Sequence, residues 1–72
     1  MNMYQYFQQG DTLYGYCNGF FGRDSYSTKI CTLVRPKYAV FEYEDGTADI
    51  LNYDGRLTEE MVKKWKSQEV DL

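Results

Sequence analysis

The 72-residue sequence predicts a small α+β fold that is mainly β: an antiparallel sheet of four to five strands with one C-terminal helix. Three observations carry that expectation. Asp45-Gly46 lies between two alternating runs that together span residues 37–53, and Asp-Gly is a strong hairpin signal. Residues 26–34 are rich in β-branched side chains, and the whole chain is 18% aromatic, a content suited to strand faces. Thr58 precedes two glutamates and then an apolar stripe of Met61, Val62 and Trp65 at helical spacing.

In chain order, residues 1–10 have an ambiguous period, between a helical turn and a short edge strand or arm, and the strand is preferred. Gly10-Asp11 marks a turn. Residues 12–17 form a strand with Leu13, Gly15 and Cys17 on one face, Gly15 marking a bulge or a close backbone approach. Residues 26–34 form the next strand, which Arg35-Pro36 ends because proline has no N–H for the ladder. Pairing of these two strands is expected to bring Cys31 near Cys17 and Leu33 near Gly15. The short link to Lys37 makes a meander into the central hairpin.

A two-residue type I′ turn at Asp45-Gly46 sets Glu42 opposite Asp49, Phe41 opposite Ile50 and Val40 opposite Leu51. One face then collects Ala39, Phe41, Tyr43, Ala48 and Ile50, while acid gathers near the tip of the other. Glu42 and Asp49 as direct neighbours repel by some tenths of a kcal/mol. Together with Glu44 and Asp45 they read either as a solvated hairpin end that discourages edge pairing or as an acidic patch for a basic partner. After Asp54-Gly55, Thr58 caps a helix whose first turn holds Glu59 and Glu60 and whose later turns hold Lys63, Lys64 and Lys66, in keeping with the helix dipole. The stripe of Met61, Val62 and Trp65, continued by Leu57 and Glu69, covers one end or face of the sheet; residues 67–72 fray. An SH3-like open barrel is the first choice of architecture and a plain sheet with one helix the second, in a single domain over residues 1–72.

A chain of this size buries only about 60% of its unfolded surface, so marginal stability, helped by dimerisation or binding, is expected. The net charge of −3 argues against general attraction to nucleic acid. Residues 1–38 carry Arg23, Lys29, Arg35 and Lys37 against Asp11 and Asp24, whereas residues 39–56 carry Glu42, Glu44, Asp45, Asp49 and Asp54 against Arg56, so the acidity is concentrated in the central hairpin. No basic stretch followed by an apolar one marks a secretory signal, and no apolar run approaches about 18 residues, so cytoplasmic residence without membrane contact is the expectation. Cys17 and Cys31 are then reduced core residues.

Catalysis is not expected. The chain lacks histidine, the commonest general base, and Cys17 and Cys31 lie in apolar strand contexts. Glu42 and Asp49 pair carboxylates on a convex hairpin rather than in a cleft. No phosphate-loop, dinucleotide or zinc-ligand spacing is present, so no metal or cofactor is called for.

The segment 18–25, Asn-Gly-Phe-Phe-Gly-Arg-Asp-Ser, brackets two aromatics with glycines. Phe20, Phe21 and Arg23 are the residue types favoured at binding hot spots, and they also suit plain end-capping of the sheet. Three functions compete. One is a protein-interaction module using Glu42, Glu44, Asp45 and Asp49, with or without Phe20, Phe21 and Arg23, its carboxylates able to stand in for nucleic-acid phosphates. The second is a nucleic-acid-binding barrel with a platform of Phe20, Phe21, Arg23, Tyr26, Lys29, Arg35 and Lys37. The third is a structural subunit that adds an edge strand to a larger assembly. The segment from Asn18 to Tyr26, on a short chain with a small sheet and one helix, resembles small phage or prophage accessory proteins. That resemblance implies a host protein of replication, transcription, nucleoid or defence machinery as the partner, bound and inhibited in the host cytoplasm.

Overall fold

The computed structural model describes residues 2–22 and 26–67. Its sheet is open and antiparallel, with four strands in sequence order: β1 (Thr12–Leu13), β2 (Lys29–Arg35), β3 (Tyr38–Tyr43) and β4 (Ala48–Asn52). One helix, α1 (Glu59–Lys66), follows. The chain is therefore mainly β with a C-terminal helix, and the sheet does not close on itself.

Local chemistry accounts for each end of α1. The Thr58 hydroxyl accepts from the Met61 N–H at 3.1 Å, satisfying an orphan donor of the first turn. Glu59 and Glu60 stand at the positive end and Lys63, Lys64 and Lys66 at the negative end, as the dipole favours. Val62 and Trp65 are buried, with Leu57 just before the helix. Glu69 and the rest of 68–72 lie outside the described residues, as do Met1 and residues 23–25.

The N-terminal segment is not a strand. Residues Met3–Gln5 make a 3-10 turn, closed by reciprocal bonds between the Asn2 and Gln5 side chains and the opposite backbone N–H groups. The Met3 N–H donates to the Pro36 carbonyl at 2.9 Å, so the turn docks beside the β2–β3 link. That placement buries Met3, Tyr6 and Phe7, which an edge strand would have split between two faces.

The first strand is also shorter than expected. β1 stops at Leu13 because the chain turns out of the sheet at Gly15, whose φ of +66° is open to glycine at little cost. Tyr14 then donates its N–H to the Trp65 carbonyl at 2.8 Å, so the segment runs to the helix instead of along β2. Thr12 pairs with Ile30 and Leu13 with Lys29, while the Cys31 N–H donates to the Asp11 carbonyl. Cys31 therefore lies beside Asp11, and the expected alignments of Cys31 with Cys17 and of Leu33 with Gly15 do not form. Both cysteines are buried and free.

The meander from β2 into β3 is as expected, with a bulge between Cys31 and Leu33. The hairpin is present, but its register is one residue away from the type I′ alignment. Phe41 pairs with Asp49, Glu42 with Ala48, Val40 with Ile50 and Ala39 with Leu51. The reason lies in the turn. Only Gly46, at φ +87°, has a left-handed backbone there, whereas type I′ requires it of Asp45 as well. The loop is instead a three-residue one, closed by the Tyr43 N–H on the Thr47 carbonyl at 2.8 Å and the Gly46 N–H on the Tyr43 carbonyl at 3.0 Å. Asp45 Oδ1 accepts from both Thr47 N–H (2.9 Å) and Thr47 Oγ1 (2.6 Å), which favours this loop. The shift turns Leu51 into the core and leaves Ile50 on the solvent side.

The core occupies one face of the sheet only. Phe41 lies at its centre, with the rings of Phe7 and Phe21 edge-on at 5.0 and 5.1 Å. Trp65 closes one end, its ring 5.6 Å from Phe20 and its Nε1–H donating to Asn18 Oδ1 at 2.9 Å. The N-terminal turn, the 14–22 segment and α1 together cover this inner face. Nothing among the described residues covers the outer one.

Candidate interaction surface

The one-residue shift dissolves the expected acidic patch. Glu42 points to the outer face, where it pairs with Ala48 and is exposed; Asp49 pairs with Phe41 on the inner side. The Asp49 carboxylate is half-buried and accepts a hydrogen bond from the Tyr43 hydroxyl at 2.7 Å, so it acts as a local partner for a buried phenol. Glu44 and Asp45 remain exposed at the hairpin tip, with Asp45 engaged by Thr47. Glu42, Glu44 and Asp45 thus share one end of the sheet, and Asp49 does not join them.

The aromatic-loop expectation changes likewise. Phe21 is only 7% exposed and packs on Phe41. Phe20 is half-buried between Trp65 and the Arg56 guanidinium, which sits 5.4 Å from its ring centre. Both phenylalanines face the protein, because glycines at positions 19 and 22 (φ +77° and +73°) fold the loop back over the core. Arg23 lies outside the described residues. Tyr26 is 80% exposed and stacks on Tyr16, ring centres 5.6 Å apart.

Lys29 departs furthest from its sequence reading. It is fully buried on the inner face, where its ammonium donates to the Ser27 carbonyl (2.8 Å), the Gly15 carbonyl (3.2 Å) and Cys17 Sγ (3.5 Å). It also lies 5.0 Å from the Phe21 ring centre. Lys29 and Phe21 therefore form part of the interior and cannot belong to a solvent-facing platform for single strands.

Burial pushes the Cys17 thiol up, with the neighbouring Lys29 charge and hydrogen bond pulling only partly the other way. Burial likewise raises the Cys31 thiol. A protonated, enclosed thiol is a poor nucleophile. Arg56 holds the Asp54 carboxyl at about 2 through hydrogen bonds from its side chain and backbone, the closest at 2.8 Å. Among the described residues no three histidine, cysteine or acidic side chains converge as a metal site, and no helix is long and apolar enough to cross a membrane.

The feature that sequence reasoning missed is the outer face of the sheet. The register places Ile30, Glu42 and Ala48 in one row, Leu33, Val40 and Ile50 in the next, and Arg35, Tyr38 and Asn52 in a third. Ile30 is 48% and Ile50 59% exposed, with half-buried Val40 and Leu33 beside them. A shallow groove of about 170 Å³ adjoins Ile30, lined by Thr28, Ile30, Thr32, Glu42, Tyr43 and Glu44. The signal was legible in part: Val40 already stood opposite the core-facing residues of its own strand. Ile50 could be assigned only once the loop length was known. Comparison with protein-family models, curated proteins and solved structures finds no match for this chain.

Proposed function

We propose that this chain is a small non-enzymatic protein-interaction module that engages a protein through the open face of its sheet. The observation that carries the reading is the row of Leu33, Val40 and Ile50 facing solvent, continued by Ile30 and bounded by Glu42 and Glu44 at one end. An aliphatic row with acid on one side and base on the other suits a surface that desolvates on contact and is oriented by charge. The raised, enclosed thiols and the lack of histidine fit a binding role better than a catalytic one. The resemblance to phage-type accessory proteins suggests a host protein as the partner and inhibition as the outcome. In that reading the acidic contribution comes from Glu42, Glu44 and Asp45, without Asp49.

The test is affinity capture with the full chain against the double variant Val40→Lys/Ile50→Lys, after far-UV circular dichroism has shown both to be folded. A protein retained by the native chain, purified, and then bound directly by it but not by the variant is the expected result. Equal binding to both chains refutes the face as the contact surface.

A further inference from the structure

We infer that the open face pairs with the same face of a second copy of this chain, in a two-fold dimer that sets Arg35 of each copy against Ile30 and Glu42 of the other. This rests on the reading of that face as an interaction surface and names its occupant in the isolated protein, a second copy with which a foreign partner competes for the same row.

The outer rows are chemically unlike and their order is favourable. The first row ends at the acidic hairpin tip, with Glu42, Glu44 and Asp45; the third ends at the β2–β3 link, with exposed Arg35 and Lys37. Glu42 and Tyr38 stand four residues apart on β3, so the acidic and basic ends are separated by about 13 Å at ~3.3 Å per residue. A two-fold axis lying between two such faces and running along the middle row exchanges the outer rows and maps the middle row onto itself. Val40 then meets Val40 and Ile50 meets Ile50. Each basic end meets an acidic one, as an isologous interface requires of a self-complementary surface. Aligned packing of two antiparallel sheets about 10 Å apart is an established way of burying such faces.

The groove beside Ile30 fits this occupant. Ile30 and the methyls of Thr28 and Thr32 offer an apolar wall for a long aliphatic stem, and Glu42 and Glu44 stand where its cation would end. Arg35 is the residue that the two-fold delivers there. Its guanidinium is on the surface and donates only to the neighbouring Val34 carbonyl (2.9 Å) among the hydrogen bonds of its side chain that the structure describes. A two-fold running along β3 would instead keep each row opposite itself and exchange β2 with β4, setting Glu42 on Glu42 and Arg35 on the uncharged Asn52, so charge selects one arrangement. The small size of the chain gives the association a thermodynamic role, because one core on one side of a four-stranded sheet leaves much apolar surface wet.

Sedimentation equilibrium of the full chain over a wide dilution series, at low and high salt, tests the proposal. The expected result is a reversible dimer that weakens with salt, becomes monomeric in Ile50→Lys, and weakens at least about tenfold in Arg35→Glu. Glu42→Arg added to Arg35→Glu should restore most of that loss, since the pair is then reversed across the interface. All three positions are exposed, and circular dichroism confirms the fold of each variant. A monomer at every concentration, or a dimer indifferent to Ile50→Lys and to the charge reversal, overturns the inference. A monomer that still binds a foreign protein through Val40 and Ile50 overturns the second copy while leaving the docking face intact. Failure of both experiments removes both readings.

Discussion

Replacing Lys29 by methionine removes the ammonium while nearly preserving the volume of a side chain that is fully buried. Two carbonyls, of Gly15 and Ser27, then lose their donor, and Cys17 Sγ loses a polar neighbour. A hydrogen bond from a charged donor contributes about 1.5–3 kcal/mol, and an abandoned partly buried carbonyl costs on the order of 1 kcal/mol or more. Against this, the variant no longer takes a charge out of water, a penalty of several kcal/mol. The two contributions oppose, but removing one partner from a satisfied buried cluster usually leaves the loss dominant. We expect destabilisation of about 2–3 kcal/mol. A chain of this length has a total stability of roughly 4–11 kcal/mol, at about 0.05–0.15 kcal/mol per residue. The assay is urea unfolding followed by the fluorescence of Trp65, the sole tryptophan, which is buried against Phe20. With a slope near 1 kcal/mol/M for so small a protein, the midpoint should fall by about 2–3 M. Because Lys29 ties Gly15, Cys17 and Ser27 to β2, the Cys17 thiol should also react faster with alkylating agent in the variant. An unchanged or raised midpoint would show that the ammonium is a net burden on the fold, and would refute the account of this cluster.

Three further outcomes follow from named contacts. Gly46→Ala should destabilise by about 1 kcal/mol, measured by thermal unfolding, since an added Cβ meets nothing but would sit at φ +87°. The Asp54 carboxyl is held at about 2 rather than 3.8 in the folded chain. Its contribution is therefore present above about 3.8, neutral pH included, and is lost as the pH falls toward 2; Asp54→Asn should lower stability at neutral pH and flatten acid unfolding in that window, so that the two chains converge toward pH 2. Cys17 and Cys31, buried and with raised thiol values, should resist alkylation in the native chain and react promptly in urea, as mass spectrometry would show.

Features decided by neighbours in the chain were legible from the sequence. Thr58, two glutamates and three lysines specify α1 through its own N–H groups and dipole, so the helix stands where the pattern puts it. Pro36 ends β2 and the short link enforces a meander. Alternation identifies the strands on either side of Asp45-Gly46, and it puts Ala39, Phe41 and Tyr43 of β3 on the inner face.

Tertiary structure decided what local pattern leaves degenerate. Asp-Gly serves a two-residue and a three-residue loop alike, and the choice between them is a matter of one residue. With a side-chain period of two, that residue exchanges the faces of all of β4: Leu51 goes inward, Ile50 outward, and Asp49 parts from Glu42. The bonds of Asp45 to Thr47 and the burial of Leu51 against the core settle it. Lys29 was equally illegible as an interior residue, because the carbonyls that receive it come from Gly15 and Ser27 and are gathered only when the chain leaves the sheet at Gly15. Which elements form is thus written along the chain, whereas which face of the hairpin meets solvent depends on long-range burial that no stretch of residues contains by itself.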